Sequence, residues 1–323
     1  MKIEVLHGWS PTVDSVLASL PDDPDWPHDL YRGLANLPNS GLRVVVAREG
    51  DQPVGLVAFQ REGEHAWVPV THWVLPGLVG YAAPGVLPRI LQRVPFSARV
   101  GWWRMLEEPP RLEGQVRDVH AEPTLGTSLK EDFEGYWKKT GCLRDVRRGE
   151  RGCAGFTFEV NAPGALEWII ANSERKWREA PDVETPRTQS HLFASSQAQR
   201  SGRYVALTYA DRGRFVVGQS VLIHRGDLVC TSTYRDPEFD QAAPGNGILA
   251  KTFYWGREQG FTELDLGGGF DYKRRWVPVR ATKAAIRVEP TLSYVGSRCV
   301  GAVRGVGGRA LRAVRGVFAA RNG

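Results

Sequence analysis

Between Ser10 and Leu20 the apolar residues Val13, Val16, Leu17 and Leu20 recur at the i, i+3, i+4, i+7 spacing of a helix with one buried face. Ser10 supplies an N-cap oxygen and Pro11 a fixed φ at the first helical position, and the stretch from Pro21 to Pro27 ends the element. From Leu42 to Ala47 and from Val54 to Phe59 the pattern becomes β-branched on either side of Glu49-Gly50-Asp51-Gln52, which predicts a hairpin. A second helix is predicted over 165–178, where Leu166, Ile169, Ile170 and Trp177 lie mostly on one face, and Pro181 to Ser190 reads as a loop. Tyr204–Tyr209, Val216–Ile223 and Leu228–Tyr234 are strand-like and joined by Asp211-Arg212-Gly213 and Arg225-Gly226-Asp227, so they read as an antiparallel meander. A helix over 248–260 and strands over 263–266 and 282–288 complete the predicted elements.

The two halves share a plan of helix, polar turn and a strand bearing Val-Gly, at Val54-Gly55 (VGLVAF) and at Val217-Gly218 (VGQSVL). This reads as an internal duplication, against the competing explanation that any two hairpins look alike over six residues. At 323 residues with 42% hydrophobic content, the chain has room for two domains, and disorder, collagen and a disulfide-stapled miniprotein are excluded. The formal charge of +6 suits an anionic partner. Arg144, Arg147, Arg148 and Arg151 crowd one charged stretch, and the tail from Ser297 to Gly323 holds six arginines and no acid. Cys142, Cys153, Cys230 and Cys299 form no C-x-x-C pair and read as ordinary reduced thiols, so no metal site is expected. The opening MKIEVLHGW has no apolar leader, and the apolar stretch from Trp67 to Leu87 is broken by Pro69, Pro76 and Pro84. Together these lead to the expectation of a cytoplasmic protein without a membrane span.

The chemistry is concentrated in Thr233 to Trp276, which reads as strand, loop, glycine-containing helix start, helix, strand, glycine-rich loop and a basic aromatic cluster. A helix opening at Pro244-Gly245-Asn246-Gly247 leaves unpaired backbone N–H groups at the positive end of its dipole, a place for a phosphate or carboxylate. A tight loop with an ordinary cap is the equal alternative at this point. Asp236 is a candidate base or the first residue of an Asp-Pro turn, and Asp265 reads as an anchor for Gly267-Gly268-Gly269.

In this window Tyr234-Arg235-Asp236-Pro237-Glu238-Phe239, Pro244-Gly245, the helix ending at Gly260, Leu264-Asp265-Leu266-Gly267-Gly268-Gly269 and Tyr272-Lys273-Arg274-Arg275-Trp276 follow in order. The chain thereby resembles the GNAT-fold, FemAB-like N-acyltransferases, including the CelD/BcsL-like acetyltransferase domains. The resemblance implies an α/β (α+β) chain of two tandem GNAT-like domains, each a mixed, mostly antiparallel sheet flanked by helices. The expected division is an N-terminal GNAT-like domain over 1–128, a basic connector over 129–155, a C-terminal acyltransferase domain over 156–296 and a basic tail over 297–323. The usual pyrophosphate signature, Arg/Gln-x-x-Gly-x-Gly/Ala, is altered here: Gln241-Ala-Ala-Pro-Gly-Asn-Gly has one residue too many and a proline within it.

The implied activity is amide formation on an amine. The resemblance makes Asp236, Tyr272 and Lys273 the candidate catalytic residues, as base, proton donor and oxyanion or phosphate ligand. Gly245, Asn246, Gly247, Lys251, Arg274 and Arg275 are the candidate donor-binding residues, and Arg147, Arg148 and Arg151 the candidate tRNA or phosphate contacts. Trp67, Trp73 and Tyr81 are expected to line the acceptor pocket. No cofactor is expected to be bound covalently. The co-substrate is aminoacyl-tRNA, slightly favoured by the basic segments and the altered loop, or acyl-CoA, and the acceptor is a small-molecule or peptide amine. A nucleic-acid-binding module without catalysis is the reading of a different class.

Overall fold

The computed structural model describes residues 1–22, 27–37, 41–62, 66–70, 80–83, 85–102, 116–177, 186–224, 226–268 and 271–288. The first half runs β1 (Lys2–His7), α1 (Pro11–Ser19), α2 (His28–Ala35), β2 (Leu42–Glu49), β3 (Gln52–Glu62), β4 (Ala66–Pro69), β5 (Tyr81–Ala82), α3 (Val86–Arg93), β6 (Ala98–Trp102) and β7 (Val116–Ser128). Next come α4 (Phe133–Thr140) and α5 (Leu143–Cys153). The second half is β8 (Thr157–Val160), α6 (Ala165–Trp177), α7 (Pro186–Arg200), β9 (Tyr204–Asp211), β10 (Arg214–His224), β11 (Asp227–Arg235), α8 (Pro244–Glu258), β12 (Glu263–Gly268) and β13 (Val279–Val288).

All the strands belong to one sheet in the order β1-β2-β3-β4-β6-β13-β7-β12-β11-β10-β9-β8, with β5 against β3. Most neighbours are antiparallel; the parallel pairs are β4 with β6 and β11 with β12. Each parallel pair is joined through a helix, α3 in the first half and α8 in the second, because a strand returning in the same direction needs a crossover. The halves therefore repeat one topology, and the duplication read from sequence is present in the fold. The six-residue match that suggested it is not structurally equivalent, however. A Cβ on Gly55 would press on Ile90 of α3, whereas one on Gly218 would press on Ile169 of α6, so the two glycines face the counterparts of different helices.

The halves also exchange their last strands: β7 pairs with β12 of the second half, and β13 pairs with β6 of the first as well as with β7. A boundary at residue 128 therefore separates β7 from the strands that complete its hydrogen bonding.

Alternation along the strands sends Val44 and Val46 to one face of the sheet and Val45 and Ala47 to the other. On the first face α1, α2, α6 and α7 share one core, in which Val13, Leu17, Tyr31, Leu166, Ile169 and Ala194 are buried. The N-cap at Ser10 accepts from Val13 N as its spacing predicts.

Two sequence expectations are corrected. The segment 129–155 is no connector but the two helices α4 and α5, with Phe133, Trp137, Cys142 and Val146 inside the core of the second half. Asp132 caps α4 by accepting from Gly135 N at 2.8 Å, and Gly141 ends it in the left-handed region at φ +74. The charges that suggested a linker lie on the outer face. The stretch read as a loop to Ser190 becomes α7 from Pro186 onward; its buried side chains are small, Ala194, Ser195 and Ala198, and give little apolar periodicity. The tail over 297–323 lies outside the described residues.

Trp137 is the hub of the second core. Its Nε1 donates to the Trp276 carbonyl at 3.0 Å, and its ring meets Phe133, Phe253 and Trp276. Trp137→Ala should therefore cost about 3–5 kcal/mol in urea unfolding. Lys138→Ala, on the exposed side of the same turn, should stay within about 0.5 kcal/mol of the parent.

Candidate functional site

The parallel pairing of β11 and β12 is confined to Leu228 with Leu264 and Val229 with Asp265; beyond these pairs the two strands part. Each carries a bulge at the point of divergence. In β11 the register runs from Val221 opposite Cys230 to Gln219 opposite Thr233, so Ser220 alone faces both Thr231 and Ser232. In β12 it runs from Asp265 opposite Gly126 to Gly268 opposite Thr124, which makes Leu266 and Gly267 the bulged pair. Gly267 takes φ +74, a conformation that favours glycine, and its N–H donates to Asp265 Oδ1 at 2.6 Å. The expectation that Asp265 anchors this loop agrees with that bond. A Cβ on Gly267 would stand 3.8 Å from the Cys230 carbonyl oxygen, so the two bulges lie side by side where the pairing ends.

Lys273 reaches the same place from the turn at Asp271–Arg275, its Nζ donating to the Leu266 carbonyl at 2.5 Å. The turn itself is fastened to α4: Tyr136 Oη donates to Arg274 O at 2.9 Å and Thr140 Oγ1 to Arg275 O at 2.6 Å. Tyr272 is 60% exposed, yet its phenol lies near enough to Cys230 that burial, and then that thiol, raise it above the ordinary tyrosine value. Burial pushes the Cys230 thiol up to about 12, with Lys273 pulling it down and Asp265 raising it further. Burial likewise lifts Cys142 to about 12 and Cys153 to about 11.

Past the bulge, β11 leads into a 3₁₀ turn over 237–242 and then into α8. Ala243, just before α8, sits at φ +51, ψ +45, a costly setting for a residue with a Cβ, and no side chain caps the helix. α5 lies hard against this start: a Cβ on Gly149 would strike the backbone of Asn246 and Gly247, and one on Gly152 would strike the Ala242 carbonyl. With its glycines turned to α8, the helix holds Arg144, Arg147, Arg148 and Arg151 exposed, and none of them meets a carboxylate among the described residues.

The predicted site residues divide into those that gather here and those that do not. Gly245, Asn246 and Gly247 form the first turn of α8, and Lys273 and Tyr272 stand beside the opening. Asp236 is already engaged: Oδ2 pairs with Arg214 at 2.6 Å, and Oδ1 accepts from Glu238 N at 3.1 Å as the cap of the following turn. An ionised carboxylate has about four lone-pair sites and these bonds use two of them, so Asp236 caps the Asp-Pro turn and keeps room for a further donor. Arg275 ties the turn to α5 through Asp145 at 2.8 Å, and Arg274 lies 3.7 Å from Asp271. Lys251 stands over the Phe158 ring and 3.9 Å from Glu258.

The expected acceptor pocket is corrected, for Trp67 and Tyr81 belong to separate clusters. Trp67 packs on Phe96 beneath Arg43, and Tyr81 packs edge-on against His28 and Tyr31. Trp73 lies outside the described residues. Sequence reasoning missed Gly149 and Gly152, for which the G-x-x-G spacing on a basic helix was the available signal, and it missed Gln219 and Ser220, for which polar residues inside a Val-rich strand were the signal.

Among the described residues no group of three His, Cys, Asp or Glu could hold a metal ion, and no helix is long and apolar enough to cross a membrane.

Residues 139–274 match the family model of the acetyltransferase (GNAT) domain. Among solved structures, the C-terminal domain of a protein described as a lysylphosphatidylglycerol synthetase from Agrobacterium fabrum superposes with a TM-score of 0.51 at 10% identity, over 90% of this chain and 96% of that one. The structure described as L-PGS from Bacillus licheniformis gives 0.51 at 12% identity, over 88% and 93%. FemX gives 0.47 at 10% identity, over 87% and 96%. No curated protein matches.

The raised thiols carry a prediction. Cys142, Cys153 and Cys230 should stay unmodified by iodoacetamide at pH 8 in the folded protein, because the thiolate is the reactive form, and all three should react in urea, as peptide mapping by mass spectrometry would record.

Proposed function

From the premise that residues 139–274 are an acyltransferase domain of the GNAT family, we propose that the chain forms an amide on an amine acceptor in the opening between β11 and β12, with aminoacyl-tRNA as the donor. The observation that carries the choice of donor is α5. From Arg144 to Arg151 its four exposed, unpartnered guanidinium groups extend over about 10 Å of helix axis. That length suits several phosphates of a nucleic-acid strand better than one pyrophosphate, and the glycine seam fixes it against the uncapped start of α8. A solved structure of this fold is described as the C-terminal domain of a lysylphosphatidylglycerol synthetase, and that description supports an aminoacyl donor.

In the proposed reaction the amine nitrogen attacks the carbonyl of the aminoacyl ester. The N–C bond forms, the C–O bond to the terminal ribose breaks, and the ribose oxygen leaves with a proton. At pH 7 only on the order of one lysine-like amine in a thousand is unprotonated, so the acceptor must lose a proton before it attacks. Lys273, its ammonium at the bulge of β12, steadies the charge that develops on the carbonyl oxygen; Tyr272 supplies the proton to the leaving oxygen and regains one, through water, from the N–H that the attacking nitrogen gives up. Such a user of charged tRNA works in the cytoplasm.

Acyl-CoA is the second reading, favoured by the first turn of α8, where the Gly245 N–H lies at the positive end of the helix while those of Asn246 and Gly247 donate to the Ala243 carbonyl.

Two tests follow. Labelled aminoacyl-tRNA incubated with candidate amines should yield labelled amide, and product from acetyl-CoA alone would transfer the assignment to the second reading. Tightness of tRNA binding should fall with salt on a log–log slope of roughly −0.7 to −0.9 per phosphate contact, and replacing Arg147, Arg148 and Arg151 by alanine should flatten that slope by about 2–3. Lys273→Ala should lower turnover about 10²–10³-fold with the circular dichroism spectrum unchanged, and an unchanged rate would remove Lys273 from the mechanism.

A further inference from the structure

Beneath the bulge of β11 lies a set of buried polar groups that the proposed reaction does not use directly. Ser220 Oγ stands 3.1 Å from both the N–H and the carbonyl oxygen of Ser232, so one hydroxyl satisfies the backbone donor and the backbone acceptor of that bulged residue. Gln219 Nε2 donates to the same Ser232 carbonyl at 3.0 Å and to Ser220 O at 2.8 Å, and Gln219 Oε1 is hydrogen-bonded to Thr233 Oγ1. Thr231 Oγ1 donates to Ser220 O at 3.0 Å and is hydrogen-bonded to the hydroxyl of Tyr204 on β9. Gln219, Ser220 and Tyr204 are all buried, at 2% exposure or less.

Every bond in this set ends on Thr231, Ser232 or Thr233, or on the backbone facing them, and these are the residues at which β11 has just left β12. An ordinary antiparallel ladder has no need of them, since regular pairing satisfies the strand's own N–H and C=O groups. A bulge leaves groups of the extra residue without a ladder partner, and here side chains of the neighbouring strands supply the partners.

We infer that Ser220, Gln219 and Tyr204 are positioning residues, which hold the β11 bulge in the one geometry that keeps the opening between β11 and β12 set for acyl transfer. The inference rests on the reading of that opening as the reaction site. Its effect is on alignment: small displacements of groups around a reacting carbonyl are costly in rate while leaving binding of the distant donor phosphates nearly untouched.

The experiment uses the full chain with Ser220→Ala and Tyr204→Phe, each of which removes one hydroxyl and leaves the packing volume nearly unchanged. The control is Thr208→Val on β9, which removes a buried hydroxyl bonded to the Glu159 carbonyl, on the β8 side and away from the bulge. Hydrogen exchange of amides 230–235 should quicken in Ser220→Ala and Tyr204→Phe and stay at the parent rate in Thr208→Val. Turnover should fall at least about tenfold in the first two with KM for the donor little changed, and should hold in the control.

Parent-like exchange at 230–235 in both variants overturns the inference. So does faster exchange with parent turnover, or a turnover loss that Thr208→Val shares. Absence of acyl transfer by the parent protein from either donor overturns instead the reading of the opening as the reaction site, and the catalytic role of these residues falls with it.

Discussion

Two parallel strands can part in the middle of a sheet only if the backbone groups they no longer give each other find other partners, because a buried N–H or C=O left alone is costly. That constraint organises the second half of this protein. β11 and β12 share two residue pairs and then separate, and each is bulged at the separation. The β11 bulge is satisfied by Ser220 and Gln219 from the next strand, and the β12 bulge by Asp265 from within and Lys273 from beyond.

The same crossover geometry recurs in the first half, where β4 and β6 are parallel and α3 connects them. The two crossover helices even begin alike, each after a left-handed residue, Gly85 at φ +76 and Ala243 at φ +51. Their first turns differ in chemistry. Val86 and Leu87 are apolar, and Pro88 has no N–H to offer, whereas Gly245, Asn246 and Gly247 keep their amides and carry little bulk. The halves nevertheless share one sheet, since β7 pairs with β12 and β13 with β6.

Charge in this chain serves two purposes that composition alone does not separate. Arg214, paired with Asp236 and Glu238, and Arg275, paired with Asp145, fasten turns to their surroundings. The arginines of α5 stand outward because the opposite face of that helix is given to glycine. At Gly149 and Gly152 the backbones of α5 and α8 come so close that any side chain would collide. Close packing of the helices and exposure of the guanidinium groups are thus two sides of one arrangement.

Local pattern and turn chemistry were sufficient for much of this fold. The β9–β10–β11 meander, the capped helix α1, the helix opening at Pro244 and the strand before Gly267 could all be read from residues within a few positions of one another, because periodicity and capping are short-range physics. The family-like order of motifs from Tyr234 to Trp276 pointed to the GNAT domain for the same reason. Tertiary structure decided the rest. That Asp236 is paired as well as capping a turn depended on Arg214, 22 residues away. Whether 129–155 was linker or core depended on Trp137 meeting Trp276, and the place of β7 and β13 depended on pairing between halves. Such partners are chosen by packing and hydrogen bonding between segments distant in sequence, and no local pattern encodes which of several compatible partners will lie within reach.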